Sequence, residues 1–342
     1  MNIIKNKLLI IAPSWIGDMV MAQSLFKHLK MIDQDLEIHV IAPEWTYPLL
    51  ERMPEVTSAM QITFKHGELS LLERYKIAKS LVNIGYSKAI ILPNSWKSAL
   101  IPWIAKIPKR TGWLGEQRFL LLNDFRFLNK TRYTTMVERY IALAYPKDYI
   151  LPSKFLYPKL LINSKNLELI KLKFSLNKDN YKAPILALCI GAAFGDAKCW
   201  PIESFIALAY MAAKHNNFNV WIFGSINNLQ INNNNHLDNI INFSGKTSLL
   251  EAIDLLSLTD IVVCNDSGLM HIAASLNKKI IAIYGATSEK FTPPLTTNYT
   301  IINKKLACSP CFARTCPLQH HNCMQQITVE EVFNQVQLIY QN

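Results

Sequence analysis

Two doubly wound α/β domains are the fold class predicted for this chain of 342 residues. Three observations carry the prediction. The length suits two cores of the usual ~100–200 residues each. The apolar strands read as continuous runs rather than alternating ones, as parallel strands covered on both faces do. The strand–helix alternation of the first half then starts again in the second. With 50% hydrophobic and 18% charged residues, disordered and low-complexity classes are excluded. The longest uncharged apolar stretch near the middle, Ala183–Gly195, holds two glycines and falls short of the ~18–20 residues a membrane-crossing helix needs.

Each element follows from its pattern. Ile3–Ile11 is a continuous apolar strand. Asp18–Lys30 is a helix with Met21, Ala22, Leu25, Phe26 and Leu29 on one face. Glu37–Ile41 and Lys88–Leu92 are the next strands recognised. Pro152–Lys182, with two prolines and several Lys and Asn, reads as a connection between domains. In the second half, strands are predicted at Ile185–Cys189, Val220–Phe223, Ile261–Cys264 and Ile280–Ile283. Helices are predicted at Pro201–Lys214, Leu249–Leu256, Leu269–Leu276 and Val329–Tyr340, with Pro201 suited to a first helical position and Ser248 to an N-cap. Asn-rich Gln230–Asn242 reads as a surface loop with a short strand.

Charge is unevenly placed within the net +11: residues 1–160 hold 22 Lys and Arg against 13 Asp and Glu, and residues 161–342 hold 14 against 12. A basic first half either keeps the chain soluble or meets a polyanion such as nucleic acid, an anionic membrane surface or a phosphorylated substrate. The basic residues are scattered singly, with no RNA-binding signature. Lys5 and Lys7 before Leu8-Leu9-Ile10-Ile11 faintly resemble a signal peptide. Pro13, Gly17 and Asp18 interrupt the run, however, so the segment reads as a buried strand of a cytoplasmic protein. Seven cysteines, an odd number, also fit a reducing compartment.

Five segments carry candidate chemistry. The first strand runs into Ala12-Pro13-Ser14-Trp15-Ile16-Gly17-Asp18, where a dinucleotide fold would place G-x-G-x-x-G; a single glycine argues against a nicotinamide enzyme. Asp18 reads either as a first-turn acid complementing a helix dipole or as a general base at the sheet edge. Gly191-Ala192-Ala193-Phe194-Gly195-Asp196-Ala197-Lys198 links strand to helix with small residues and a lysine, a combination suited to a diphosphate. Asn265-Asp266-Ser267-Gly268-Leu269-Met270-His271 opens the next helix: the Ser267 and Gly268 N–H groups can hold phosphate or sugar oxygens, or the segment is simply a capped turn. Asp33-Gln34-Asp35 has the D-x-D form of metal-dependent glycosyltransferases but lies among charged residues as a solvated loop. Cys308, Cys311, Cys316 and Cys323, with His320 and His321 between, have the spacing of a structural zinc site or are neighbouring free thiols.

Together these segments resemble the ADP-heptose:lipopolysaccharide heptosyltransferases (glycosyltransferase family 9), most closely the heptosyltransferase II branch, over nearly the whole chain. The resemblance rests on Pro13–Met19, Arg52-Met53-Pro54-Glu55-Val56, Leu92-Pro93-Asn94-Ser95, Arg110-Thr111-Gly112-Trp113, Met136–Tyr145, Asn265–His271 and Phe291-Thr292-Pro293-Pro294-Leu295. It implies the GT-B fold: two facing Rossmann-like domains with mostly parallel sheets and an interdomain cleft. The implied division is an acceptor-binding domain over 1–160, a linker over 161–182, an ADP-heptose-binding domain over 183–327 and a C-terminal helix over 328–342.

The implied reaction moves heptose, with inversion and without a required metal, from ADP-L-glycero-D-manno-heptose to the first heptose of heptosyl-Kdo2-lipid A. In the family's pattern Asp18 matches the catalytic base and Lys198 the lysine on the donor phosphates. Asp266, Ser267, Gly268 and His271 match the segment holding heptose and diphosphate. The sequence departs from that pattern at Ile190-Gly191-Ala192-Ala193, where Pro-Gly-Ala-Glu is usual, and at Cys199, where a basic residue often follows the lysine. The implied setting is the cytoplasmic face of an anionic inner membrane, by peripheral contact and with no nucleic acid. The alternatives are a heptosyltransferase I acting on Kdo2-lipid A, or a non-enzymatic, metal-stapled module for anionic lipid.

Overall fold

A computed structural model describes residues 6–64, 68–176, 182–215, 218–225 and 238–341. The chain divides into two compact units, Met1–Pro158 and Lys159–Asn342. The first contains, in order, β1 (Lys7–Ile11), α1 (Ile16–Ile32), β2 (Glu37–Pro43), β3 (Ser58–Ile62), α2 (Leu71–Leu81), β4 (Lys88–Ile91), α3 (Leu100–Ile104), β5 (Lys109–Trp113), β6 (Asp124–Arg126) and α4 (Met136–Ile141). Its sheet has the order β3-β2-β1-β4-β5-β6. Every pairing is parallel, with Leu8 opposite both Ile38 and Lys88.

The second unit contains α5 (Ser164–Lys173), β7 (Ile185–Cys189), α6 (Ile202–His215), β8 (Asn219–Phe223), β9 (Ile240–Asn242), α7 (Leu249–Leu256), β10 (Ile261–Asn265), α8 (Gly268–Ser275), β11 (Lys279–Ile283), β12 (Tyr299–Ile302), α9 (Asn322–Gln325) and α10 (Val329–Gln341). Its sheet, also all parallel, runs β12-β11-β10-β7-β8-β9. Numbered from its own first strand, that is the same dinucleotide-fold order as in the first unit. Central strands β7, β8 and β10 are buried at every residue, which is why their sequences are unbroken apolar runs.

The segment expected as a linker over 161–182 instead begins with a helix of the second unit. Asn163 caps α5 by accepting from the Asn166 amide at 3.1 Å. Fully buried Asp254 on α7 accepts from Asn163 N at 3.1 Å and from Asn166 Nδ2 at 2.6 Å. Polar residues in this segment thus satisfy a buried carboxylate rather than solvate a connection. Residues 328–342 are likewise no separate element: Val332, Phe333 and Val336 of α10 sit in the core with Trp200 and Phe205. Helix α1 begins at Ile16, two residues ahead of the expected start, so Asp18 lies inside its first turn. Of the predicted Gln230–Asn242 loop, Ile240–Asn242 is a strand and residues 230–237 lie outside the described residues, as do 3–5 of the predicted first strand. Among the described residues no helix is long and apolar enough to cross a membrane.

Helix α7 begins with a reciprocal capping box: the Ser248 hydroxyl accepts from Glu251 N at 3.2 Å, and the Glu251 carboxylate accepts from Ser248 N at 2.8 Å. Ser248→Ala should lower unfolding free energy by ~1 kcal/mol without changing the denaturant slope. Urea unfolding at equilibrium reads this, and an unchanged midpoint would show that the box contributes nothing.

Candidate functional site

In a sheet of this order, the connections after the first and fourth strands leave in opposite directions and open a crevice at the strands' carboxyl ends. In the first unit those connections follow β1 and β4; in the second they follow β7 and β10. All the candidate residues of the sequence apart from the cysteines and the Asp33–Asp35 turn lie on them or in the helix turns they open.

The crevice of the first unit is a cavity of about 380 Å³ lined by Pro13–Trp15, Asp18, Pro93–Ser95, Arg74 and Tyr140 among others. Asp18 enters it from the first turn of α1, where its charge also complements the helix dipole. The Tyr140 hydroxyl, on α4, donates to Asp18 Oδ1 at 3.0 Å. Burial above all, then the charge and hydrogen bond of Asp18, raise the Tyr140 pKa well above its ordinary value, so the phenol stays a donor at neutral pH. Tyr140 was not singled out from the sequence. The capping box of Thr135 and Glu138 that starts α4 was the available signal for its helix.

The second unit gathers Lys198, Asp266, Ser267, Gly268 and His271. Gly191 turns the chain out of β7 at φ 76°, which a side chain would resist. Buried Asn265 ties the two connections together, donating from Nδ2 to Gly191 O at 3.3 Å and accepting from Trp200 N at 3.0 Å. Lys198 Nζ lies 2.7 Å from Asp266 Oδ2, and the Thr287 hydroxyl donates to the same oxygen at 2.6 Å. Asp266 is 4% exposed and Lys198 14%, so the pair is largely desolvated. Gly268 is the first residue of α8, whose cap Ser267 makes no side-chain capping bond. Ser267 Oγ and His271 Nδ1 are buried polar atoms without a hydrogen-bond partner. Donors and acceptors buried in this state are the ones a bound ligand can satisfy.

Arg314 was missed in the sequence because it sits inside the cysteine run. Its carbonyl accepts from Ala197 N at 3.1 Å, and a Cβ on Gly195 would collide with that same carbonyl. Its guanidinium lies 5.6 Å from the Phe194 ring centre and Lys198 Nζ 4.8 Å, so two cations share one aromatic ring beside the turn.

The cysteine segment therefore abuts the lysine turn. Cys308, Cys311, Cys316 and Cys323 line one cavity of about 20 Å³ with Ala197, His320 and His321. Backbone N–H groups, foremost that of His321, lower the Cys316 thiol. Burial first, then the other three thiols, raise that of Cys323. Cys308 and Cys311 are exposed. Among the described residues no three His, Cys, Asp or Glu side chains are disposed to hold a metal ion, so the zinc geometry suggested by the spacing is not met as these side chains stand. Asp33 and Asp35 lie in the exposed turn expected for them, the Asp35 amide donating to Asp33 Oδ1 at 3.1 Å.

Burial holds His271 neutral by lowering its pKa to about 4; Asp266 opposes this and Lys198 adds to it. Between its ordinary 6.5 and about 4, the unfolded chain binds a proton that the native fold refuses, so stability falls as pH falls through that window. His271→Gln should remove on the order of 2–3 kcal/mol of that acid-side loss. Unfolding free energies measured from pH 7 to 4 would show a flatter profile, and a profile parallel to that of the unaltered chain would contradict it.

The family model for glycosyltransferase family 9 (heptosyltransferase) matches residues 74–322. The chain is 42% identical to lipopolysaccharide heptosyltransferase 2 of Salmonella typhimurium over 86% of its own length and 87% of that protein. It is 44% identical to lipooligosaccharide heptosyltransferase 2 of Haemophilus influenzae over 86% and 88%. The structure of E. coli ADP-heptose LPS heptosyltransferase II superposes with a TM-score of 0.85 at 38% identity, covering 97% of this chain and 98% of that one. The two Rossmann-like units are thus those of the GT-B fold. More than half of the chain matches one family model, and its relatives align over most of both lengths: the chain belongs to glycosyltransferase family 9, the heptosyltransferases.

Proposed function

We propose that this chain transfers heptose from ADP-heptose to a hydroxyl on the first heptose of heptosyl-Kdo2-lipid A, inverting the anomeric carbon. The relatives named heptosyltransferase 2 support the reaction and its acceptor over a first-heptose transferase. The observation that carries the chemistry is a carboxylate in the crevice of the first unit, held by a phenol that cannot ionise at neutral pH.

Asp18 takes the proton of the attacking acceptor hydroxyl. The new bond forms between that oxygen and the anomeric carbon as the bond from that carbon to the diphosphate oxygen breaks, and ADP leaves with the electron pair. Charge building on the diphosphate is met by Lys198 and by the open N–H groups of Ser267 and Gly268 at the start of α8. The Ser267 hydroxyl and His271 Nδ1, the latter on a neutral ring, are placed to bond the sugar or phosphate oxygens. Lys198 now satisfies Asp266, and donor binding redirects part of that bonding to phosphate. Thr287 keeps Asp266 bonded meanwhile. Structural zinc on the four cysteines forms no part of these steps. The acceptor is reached at the cytoplasmic face by peripheral contact with an anionic bilayer and without nucleic acid, a reading supported by the excess of cations in residues 1–160.

The direct test offers ADP-heptose with acceptors carrying no heptose or one heptose and weighs the products. A gain on the second alone is expected, and a gain on the first alone would reassign the chain to first-heptose transfer. Asp18→Asn should lower kcat by ~10²-fold or more with donor affinity kept. Tyr140→Phe should lower kcat by about tenfold at constant KM, and Lys198→Ala should weaken donor binding instead. Near-normal turnover in the first variant, or unaltered donor affinity in the last, would refute the respective role.

A further inference from the structure

Two exposed apolar lips are fastened, each by one buried arginine, to the same wall of the first unit's cavity. The first lip is the opening of α2, where Leu71, Leu72 and Tyr75 face solvent, Leu72 at 73% exposure. Between them Arg74 turns inward and is 6% exposed. Its guanidinium donates to Lys97 O at 3.0 Å and to Leu69 O at 2.6 Å. The second lip lies between β5 and β6, where Phe119 and Leu120 stand out, Leu120 at 89% exposure. Beside them Arg118 is 2% exposed and donates to Pro93 O at 2.6 Å, Ser95 O at 3.0 Å and Trp113 O at 2.7 Å. Pro93, Ser95 and Ser98, which accept from Arg118, and Lys97, which accepts from Arg74, all line the cavity.

Burial lowers the Arg118 pKa to about 10, so it remains a cation at neutral pH. Its desolvation is a standing cost, offset by the carbonyls and the Ser98 hydroxyl it meets and by the charge of Glu116. A chain that needed only a closed loop there could have buried an apolar side chain. This one buries a cation to hold a loop whose outer residues Phe119 and Leu120 stand exposed.

The second lip continues as an aromatic row. Phe119 meets Phe125 edge-on at 5.6 Å between ring centres, Phe125 meets Phe127 at 5.9 Å, and the Lys147 ammonium lies 5.6 Å from the Phe125 ring. Lys76 and Lys79 are exposed on α2 behind the first lip. The acids nearby are mostly engaged: Glu116 accepts from Trp96 N at 2.9 Å, and Asp124 meets Arg126 at 3.5 Å and Lys109 at 3.7 Å. Glu73 alone faces out on α2. Aromatic and leucine side chains flanked by exposed lysines, Lys79 and Lys147 lying against the Tyr75 and Phe125 rings, match an interface of acyl chains beneath anionic headgroups.

We propose that these two lips seat the first unit on an anionic phospholipid bilayer, with the cavity between their arginine-held anchors receiving the saccharide of a bilayer-anchored acceptor. The proposal deepens the functional reading above and rests on it for the acceptor, though not for the bilayer contact itself.

Flotation of the full chain with vesicles tests it, comparing phosphatidylcholine alone with phosphatidylcholine plus phosphatidylglycerol. Binding should be tenfold or more tighter to the anionic vesicles and weaken as salt rises. The double variant Leu72→Ser/Leu120→Ser alters two exposed side chains that make no cavity contact. It should lose about tenfold in anionic-vesicle partitioning. Leu172→Ser, the same change at an exposed site on α5 of the second unit, should lose nothing. In transfer assays the double variant should keep kcat/KM on a deacylated, water-soluble acceptor and drop about tenfold on the same saccharide embedded in vesicles. Flotation of the double variant equal to the unaltered chain would overturn the proposal. So would a changed oligomeric state in sedimentation with vesicle binding intact, which would make the lips a protein interface. Loss of partitioning in a chain that transfers no heptose to any acceptor would uphold the surface and refute the functional reading.

Discussion

A parallel sheet that grows outward from its first strand in both directions must send two of its connections apart, and backbone hydrogen bonding cannot close the gap they leave. This chain meets that constraint twice, between β1 and β4 and between β7 and β10. The cores on either side are rigid, apolar and parallel-paired, so the residues at each gap need no role in the sheet. They are free to carry groups that a core would reject: a carboxylate with a buried phenol in the first unit, and an ammonium–carboxylate pair with two unsatisfied polar atoms in the second.

The two gaps are furnished for different work. Asp18 accepts from Tyr140 and lines a cavity, the surroundings of a proton acceptor. Lys198 is neutralised by Asp266, which is held in turn by Thr287, and the opening of α8 adds free N–H groups; these are the surroundings of an anion site. Asn265 lets the second site work as one body by bonding the connection after β7 to the start of α6. The cysteine segment adds a third support through Arg314, whose carbonyl fixes the turn before Lys198. Shifts at those cysteines therefore reach the lysine through one hydrogen bond.

How far the fold was legible follows the burial of its strands. Central β1, β4, β7, β8, β10 and β11 are almost wholly buried, and their apolar runs announced them, as did the Val40–Ala42 run of β2. The outer strands β3, β5, β6 and β12 are half-exposed and carry Ser58, Gln61, Lys109, Arg110 and Asp124, so they present no such run. Helix α5 was hidden for a related reason: its polar N-terminus answers Asp254, a residue 88 positions away from Asn166. In the site, Asp18, Lys198 and the Asp266–His271 turn were legible as strand-to-helix connections with the right side chains. Tyr140, Thr287 and Arg314 were not, because each acts from an element distant in sequence.

By itself, then, the sequence determined the two-domain α/β plan, the strands that must be central and the connections that must carry function. Hydrophobic periodicity and helix-opening residues are local properties, readable within a dozen positions. Only the tertiary structure decided which side chains meet there: Tyr140 with Asp18, Asp266 with Lys198, and buried arginines with the wall at residues 93–98. Those pairings join residues 23 to 122 positions apart, and their energies come from desolvation and directional bonding that exist only once the sheets have placed the partners together.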